Sequence, residues 1–335
     1  MRSDENPPAQ PAAYSKSESS REPTETWIEA AGTKVLVRQT GRGRPVLLIN
    51  GLGSHTATWA PVETHFTGLH LISFDSPGIG RSPYRAPPQS IGGLARLALD
   101  ILDQLGFDEV DVLGYSMGGT IAQTLAHLAP TRVRKLVLVA TGPGWGCVPG
   151  QWGSMIHLYN PLRYYSEWYY QKSIGAIAGG RARTDKSFIE KQWRQRFAER
   201  PRVVPYYSQI AAVASWSSLR WLHEITAPTL VVVGGDDPLL PAVNSFMLAR
   251  RIPLSRLEVH PEEGHLLLFD TRSPALHSIH EFLTAPSADE SRTWQRAQEV
   301  DRSLEEHMLR NTHAGMFPWG RASAAYRAFS ESSPQ

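Results

Sequence analysis

Val110–Gly119 reads V-D-V-L-G-Y-S-M-G-G, and the fold turns on how that stretch is read. A short β-branched run ends at Gly114, Ser116 follows two residues later, and Gly118 and Gly119 open into T-I-A-Q-T-L-A-H-L. The order is strand, tight turn, helix, with the spacing G-x-S-x-G. A serine on so cramped a turn needs residues without a Cβ two positions before and after it. Its hydroxyl then stands clear of the sheet at a helix N-terminus, where amide donors and the dipole favour an oxyanion. Gly and Ser are common in turns, so the pattern gains its weight from the strand and helix on either side. Ser116 is the candidate nucleophile.

Upstream, Thr26–Ala30 and Thr33–Gln39 alternate about A-G, the pattern of an antiparallel hairpin. Val46–Asn50 (V-L-L-I-N) is the apolar run of a buried strand, and Leu69–Asp75 is another. Ile91–Leu105 sets Ile91, Leu94, Ala98, Leu102 and Leu105 on one helical face. Downstream come strand Lys135–Ala140, strand Thr229–Val233, a helix near Val243–Arg250, strand Arg256–His260 and a helix over Pro274–Leu283. Strand alternating with helix predicts an α/β protein with a mostly parallel, doubly wound sheet.

The alternation stops after Gly142. Residues 145–222 hold six of the ten Trp and seven of the eleven Tyr, with helical pieces expected at Pro161–Tyr170 and Phe188–Phe197. An aromatic helical insertion between two parts of one sheet is read as a cap over the site. The expected organisation is therefore a disordered arm over 1–25, core over 26–144, helical cap over 145–222, core again over 223–285, and a linker and tail over 286–335. Within the tail, Trp294–Arg310 is expected to form a weakly amphipathic helix, with Phe317 and Trp319 beyond it.

Composition excludes several classes. The 335 residues are 41% hydrophobic and 20% charged, with a formal charge of +2, so no nucleic-acid footprint is expected. The single Cys147 excludes an internal disulfide and a Cys-rich metal site. The polar first 25 residues lack the apolar core of a secretory signal, and no run approaches the ~20 apolar residues of a transmembrane segment. A cytoplasmic protein is expected. The chain has no G-x-x-x-x-G-K-[ST], no G-x-G-x-x-G and no H-E-x-x-H, so no cofactor and no metal are expected.

A serine hydroxyl is a poor nucleophile alone; it needs a base, and the base an orienting acid. In sheets of this kind these arrive later in the chain, in the order Ser, Asp, His. Val231–Pro241 (V-V-V-G-G-D-D-P-L-L-P) offers Asp236 and Asp237 in a loop after a strand, and Glu263–Asp270 (E-G-H-L-L-L-F-D) places His265 in the next. Both loops follow the C-terminal ends of strands, the edge where such sheets carry their sites. His55, His127 and His260 read as structural. For the oxyanion, one donor is the amide of Met117; the other is the amide of Leu52, in the turn of V-L-L-I-N-G-L-G at 46–53. Asn50 is expected to brace that loop.

These motifs together resemble the α/β-hydrolase fold over residues 26–285, and within it the intracellular medium-chain-length poly(3-hydroxyalkanoate) depolymerases. L-L-I-N-G-L-G at 47–53, F-D-S-P-G-I-G-R-S at 74–82, W-S-S-L-R-W-L-H-E-I-T-A-P-T-L at 216–230, G-G-D-D-P-L-L-P at 234–241, L-A-R-R-I-P at 248–253 and E-G-H-L at 263–266 carry it alongside the opening stretch. The resemblance implies hydrolysis of 3-hydroxyacyl esters, with Ser116 as nucleophile, His265 as base then acid, and Asp237, the aspartate before Pro238, as the orienting acid. An apolar ester or polyester is the implied substrate and a polymer granule surface the implied partner. The family's pattern has Trp after the nucleophile where this chain has Met117, a residue expected to line the acyl site. The triad motifs are generic. They equally suit a small-ester hydrolase, a lactonase, a carbon–carbon bond hydrolase or a cofactor-free peroxidase-like enzyme; a non-enzymatic binding protein on this fold is a further alternative.

Overall fold

The computed structural model describes residues 22–300, 302 and 303, apart from residue 198. A hairpin opens the described residues: β1 (Thr24–Ala30) pairs antiparallel with β2 (Thr33–Gly41). There follow β3 (Arg44–Ile49), α1 (Ala60–His65), β4 (Leu69–Phe74), α2 (Ile91–Gln104), β5 (Val110–Tyr115), α3 (Met117–Leu128) and β6 (Val133–Val139). Four helices come next: α4 (Trp152–Tyr159), α5 (Glu167–Ala178), α6 (Lys186–Phe197) and α7 (Val203–Ala214). The chain then returns to the sheet with β7 (Thr229–Gly234), α8 (Val243–Arg251), β8 (Ser255–His260), α9 (Pro274–Thr284) and α10 (Arg292–Arg296).

The eight strands form one sheet in the order β1-β2-β4-β3-β5-β6-β7-β8. Pairing is antiparallel at β1–β2 and β2–β4 and parallel from β4 through β8. The alternation of strand side chains explains why helices cover both faces. On β5, Val110 and Val112 join a core cluster with Ile101 of α2 and Ile121 of α3; Leu113 and Tyr115 join another with Val62 of α1 and Ile279 of α9. Every residue of β5 and β7 is buried. The strands lie where the sequence puts them, to within two residues.

Two expectations need correction. Pro161–Tyr170 is not one helix: a 3₁₀ turn covers Pro161–Tyr164 and α5 begins at Glu167. Asn160 and Ser166 each accept a bond from a backbone amide just downstream, so each caps its own start. In the tail, α10 ends at Arg296, well short of Arg310. Gln298 instead pairs with Leu257 through two backbone bonds of 2.8 Å, because β8 is an edge strand with donors and acceptors to spare. Trp294 is buried and stacks on Phe282 at 5.6 Å. Of the arm expected over 1–25, residues 1–21 lie outside the described residues, while Thr24 and Glu25 already belong to β1. The tail from 304 onward, Phe317 and Trp319 included, also lies outside them. Among the described residues no helix is long and apolar enough to cross a membrane.

Candidate active site

The turn between β5 and α3 is as cramped as its glycines suggest. Ser116 sits at φ 53°, ψ −121°, outside the regions a residue with a Cβ normally occupies. The conformation is held from two sides. The Ser116 amide donates to the Val139 carbonyl at 2.9 Å, and its own carbonyl accepts from Thr141 Oγ1 at 2.7 Å. Gly118 is obligatory for space: a Cβ there would stand 2.0 Å from the Ile49 carbonyl oxygen, since α3 starts directly against the end of β3.

The three candidates from separate loops meet in one hydrogen-bonded line. Ser116 Oγ lies 3.0 Å from His265 Nε2, and His265 Nδ1 lies 2.7 Å from Asp237 Oδ2. The Asp237 side chain is fully buried, and its other oxygen accepts from the Leu239 and Leu240 amides, both at 2.9 Å. That fixes the carboxylate so that one lone pair faces the imidazole. Asp236 turns the other way: it pairs with Arg183 at 2.8 Å and accepts from the Gly180 amide at 2.7 Å. Of the two neighbouring aspartates, only Asp237 reaches the imidazole. His127 stacks on Trp221, His260 lies 3.4 Å from Glu258, and burial with the Arg196 charge holds His55 down near 4. None of these three bonds to Ser116.

His265 is anchored through its backbone as well. Its carbonyl accepts from the Tyr115 hydroxyl at 3.0 Å, and its amide donates to the Ala178 carbonyl at 2.6 Å. The end of α5 lies so close to the Asp and His loops that side chains are excluded at the contact. A Cβ on Gly179 would fall 1.8 Å from the Asp236 carbonyl oxygen, and one on Gly264 would fall 2.0 Å from that of Ala178.

Across from the imidazole runs the loop after β3. Met117 opens α3, so its amide has no carbonyl one turn earlier to pair with. The peptide joining Leu52 to Gly53 is gripped on both edges by residues from the α4–α7 segment. Tyr164 Oη donates to the Leu52 carbonyl at 2.9 Å, and the Gly53 amide donates to Gln209 Oε1 at 2.9 Å. Asn50 Oδ1 accepts from Thr58 Oγ1 at 3.1 Å, which is the expected brace. Asp75 ties in the following turn by accepting from the amides of Thr56 and Arg81.

A cavity of about 40 Å³ lies over Ser116 and His265. The space enclosed is that of a few waters. Leu158, Ile174, Ile177, Leu239 and Leu266 form its apolar wall, and Arg163 and Arg196 lie on its lining as well. The Met117 side chain does not line it. That side chain is 5% exposed, within the core cluster that also takes in Leu52 and Ala212, so the expectation that it meets the acyl group is corrected.

A family model described as alpha/beta hydrolase fold matches residues 44–271. The chain belongs to that family. Among curated α/β-hydrolase relatives, a poly(3-hydroxyalkanoate) depolymerase of Ectopseudomonas oleovorans is 38% identical over 236 residues, covering 70% of this chain and 82% of the relative. A 2-hydroxy-6-oxo-2,4-heptadienoate hydrolase of Pseudomonas putida is 28% identical over 268 residues, covering 77% and 95%. Among solved structures, an esterase of Exiguobacterium antarcticum superposes with a TM-score of 0.67 at 22% identity, covering 78% of this chain and 99% of its own, a likeness of fold.

Sequence reasoning missed Tyr115, Thr141, Tyr164, Gln209, Arg163 and Arg196. Tyr115 stands inside the opening stretch, and strand alternation would have placed it on the face away from Val112. The arginines and Gln209 lie in helical or turn segments where polar residues read as solvated faces, and no spacing links them to Ser116.

Proposed function

We propose that this α/β hydrolase is a serine ester hydrolase acting on 3-hydroxyalkanoate polyester or its oligomers. The observation that carries the reading is the unbroken hydrogen-bonded line from Ser116 through His265 to Asp237, at 3.0 and 2.7 Å. His265 Nε2 takes the Ser116 proton as Oγ attacks the ester carbonyl, and Asp237 holds the other ring nitrogen in its protonated form. The oxyanion is met by the amides of Leu52 and Met117. The tetrahedral species collapses with the His265 proton passing to the departing alkoxide. Water, deprotonated by the same imidazole, then resolves the acyl-enzyme.

The substrate class rests on the resemblance to the depolymerase and on the apolar wall of the cavity. The α4–α7 segment serves as the cap. The outer surface over 145–168 supports a partner of low polarity, since Trp145, Trp152 and Trp168 are 77%, 64% and 69% exposed within that stretch. Exposed aromatics at that density suit a polymer granule surface better than bulk water.

A p-nitrophenyl ester series from C2 to C12 tests the chemistry, and release of 3-hydroxy acids from isolated granules tests the substrate. Ser116→Ala is expected to abolish both, along with labelling by a fluorophosphonate probe. Undiminished turnover in that variant would overturn the assignment of the nucleophile. Ester turnover without granule release would move the substrate to a small ester.

A further inference from the structure

Two guanidinium groups border the Ser116 cavity with no carboxylate among the described residues to balance them. Arg163 lies in the 3₁₀ turn Pro161–Tyr164 and Arg196 in the last turn of α6; they are 7% and 8% exposed. Arg163 donates from Nε and Nη2 to the hydroxyl of Tyr206, and from Nη2 to that of Tyr164 at 3.1 Å. Its guanidinium also packs 4.5 Å from the centre of the Tyr164 ring. Arg196 donates from Nη1 to Ser54 Oγ at 3.3 Å, its Nε is buried with no acceptor, and its guanidinium lies 5.6 Å from the centre of the Phe269 ring. Among the described residues, neither arginine has an ion-pair partner. Hydroxyls and ring faces are weak compensation for a buried cation, and a carboxylate accepting the free N–H groups is the strong one.

The two cations also have a definite place relative to the reacting atoms. Ser54, which Arg196 contacts, and Leu52, whose carbonyl accepts from the same Tyr164 hydroxyl that Arg163 contacts, both belong to the loop facing the imidazole. The lining of the cavity over Ser116 therefore combines apolar side chains with two cations.

Resting on the esterase reading above, the geometry points to a carboxylate-binding subsite: Arg163 and Arg196 hold the free carboxylate of an oligoester chain end. In a chain of 3-hydroxyacyl units, the terminal carboxylate carbon stands three bonds from the oxygen of the last ester link. A carboxylate on the arginines thus brings that last ester to Ser116, with the alkyl side chains left to the apolar wall. Attack forms the Ser116 Oγ–acyl bond and breaks the bond from acyl carbon to ester oxygen. The proton from Ser116 passes through His265 to that oxygen, which leaves as the hydroxyl of a 3-hydroxy acid monomer. Water then releases the shortened chain, whose new carboxylate is the end for the next cycle. Charged ends avoid the interior of an apolar polymer, so they lie at its surface, where an enzyme with an exposed aromatic cap would meet them.

The linear dimers of 3-hydroxybutyrate and of 3-hydroxyoctanoate, each as free acid and as methyl ester, test this, with cleavage of the internal ester followed by chromatography. The wild-type enzyme is expected to cleave one or both free acids with kcat/KM about tenfold or more above the matching methyl ester, chiefly through KM. Arg163→Gln and Arg196→Gln are expected to bring that ratio close to one, and Arg196→Lys to retain part of it. A wild-type ratio near one overturns the proposal without any variant, and so does a preference that folded Gln variants keep. Turnover of p-nitrophenyl esters without discrimination between acid and methyl ester overturns the carboxylate subsite alone. No turnover of any ester overturns the esterase reading and this subsite with it.

Discussion

Gln209 is the place to ask whether the α4–α7 segment takes part in the chemistry or only covers it. Its side-chain oxygen accepts from the Gly53 amide at 2.9 Å while Tyr164 Oη donates to the Leu52 carbonyl at 2.9 Å; these are the two polar groups of a single peptide unit. Gln209→Met keeps the length of the side chain and removes the acceptor, leaving a buried amide unpaired at a cost of about 1–2 kcal/mol. If that energy holds the Leu52 amide toward the oxyanion, its loss translates into a fall in kcat of roughly 5- to 30-fold. The ceiling is the 10²- to 10³-fold loss seen when an oxyanion donor is removed altogether. The assay is steady-state turnover of a p-nitrophenyl ester alongside urea unfolding. Tyr164→Phe acts on the other edge of the same peptide, so the double variant is expected to lose little more kcat than the worse single one. A Gln209→Met enzyme that unfolds more easily yet keeps its kcat within twofold would refute the reasoning, because the loop would then hold its shape unaided.

Two other outcomes follow from the site. Asp237→Asn is expected to lower kcat by roughly 10⁴-fold, because its amide would oppose His265 Nδ1, force the ring proton onto Nε2 and deprive Ser116 of a base. Asp236→Asn, which breaks only the half-exposed pair with Arg183, is expected to leave kcat within twofold in the same ester assay. His55 gives a pH dependence: it is 1% exposed and burial, with the Arg196 charge, holds it near 4 against 6.5 in the unfolded chain. Below pH 6.5 the unfolded chain takes up a proton that the folded chain refuses, so stability should fall progressively between pH 6.5 and about 4, by about 3 kcal/mol in all. Urea midpoints across that range measure it, and His55→Asn is expected to remove this component of the profile; His260, which burial also holds low, adds to it with the same sign.

The parts of the protein that were legible in advance are those whose physics is local. V-D-V-L-G-Y-S-M-G-G encodes its own strand, turn and helix, because burial on both faces, the absence of Cβ atoms and helix initiation are all decided within ten residues. D-D-P and E-G-H are local too: their order along the chain pointed to the acid loop and to His265, and the resemblance, through Pro238, chose Asp237 over Asp236. What could not be read was anything set by contact across the sheet edge. Met117 was expected at the substrate and instead packs into the core, a matter of which way the first turn of α3 faces. The tail helix was expected from apolar spacing, but an unpaired edge on β8 offered Gln298 better backbone partners than a further helical turn. Tyr164 and Gln209 each act on a loop more than a hundred residues upstream, and no periodicity carries that information.

The contact between Ala178–Gly180 and the loops holding Asp236 and His265 has a consequence for how such enzymes can be recombined. Backbone there meets backbone with no side chain between, so the insertion and the core share a surface that tolerates no change on one side alone. A chimera that takes its insertion from another α/β hydrolase would inherit a foreign side chain opposite Gly264 or the Asp236 carbonyl, and the displaced loop would carry His265 with it. Exchange at the outer helices, where Trp152 and Trp168 face solvent, is free of that constraint. New substrate preferences are therefore best grafted from α4 and the first turn of α5, with Gly179, Gly180 and Gly264 carried over as a fixed set.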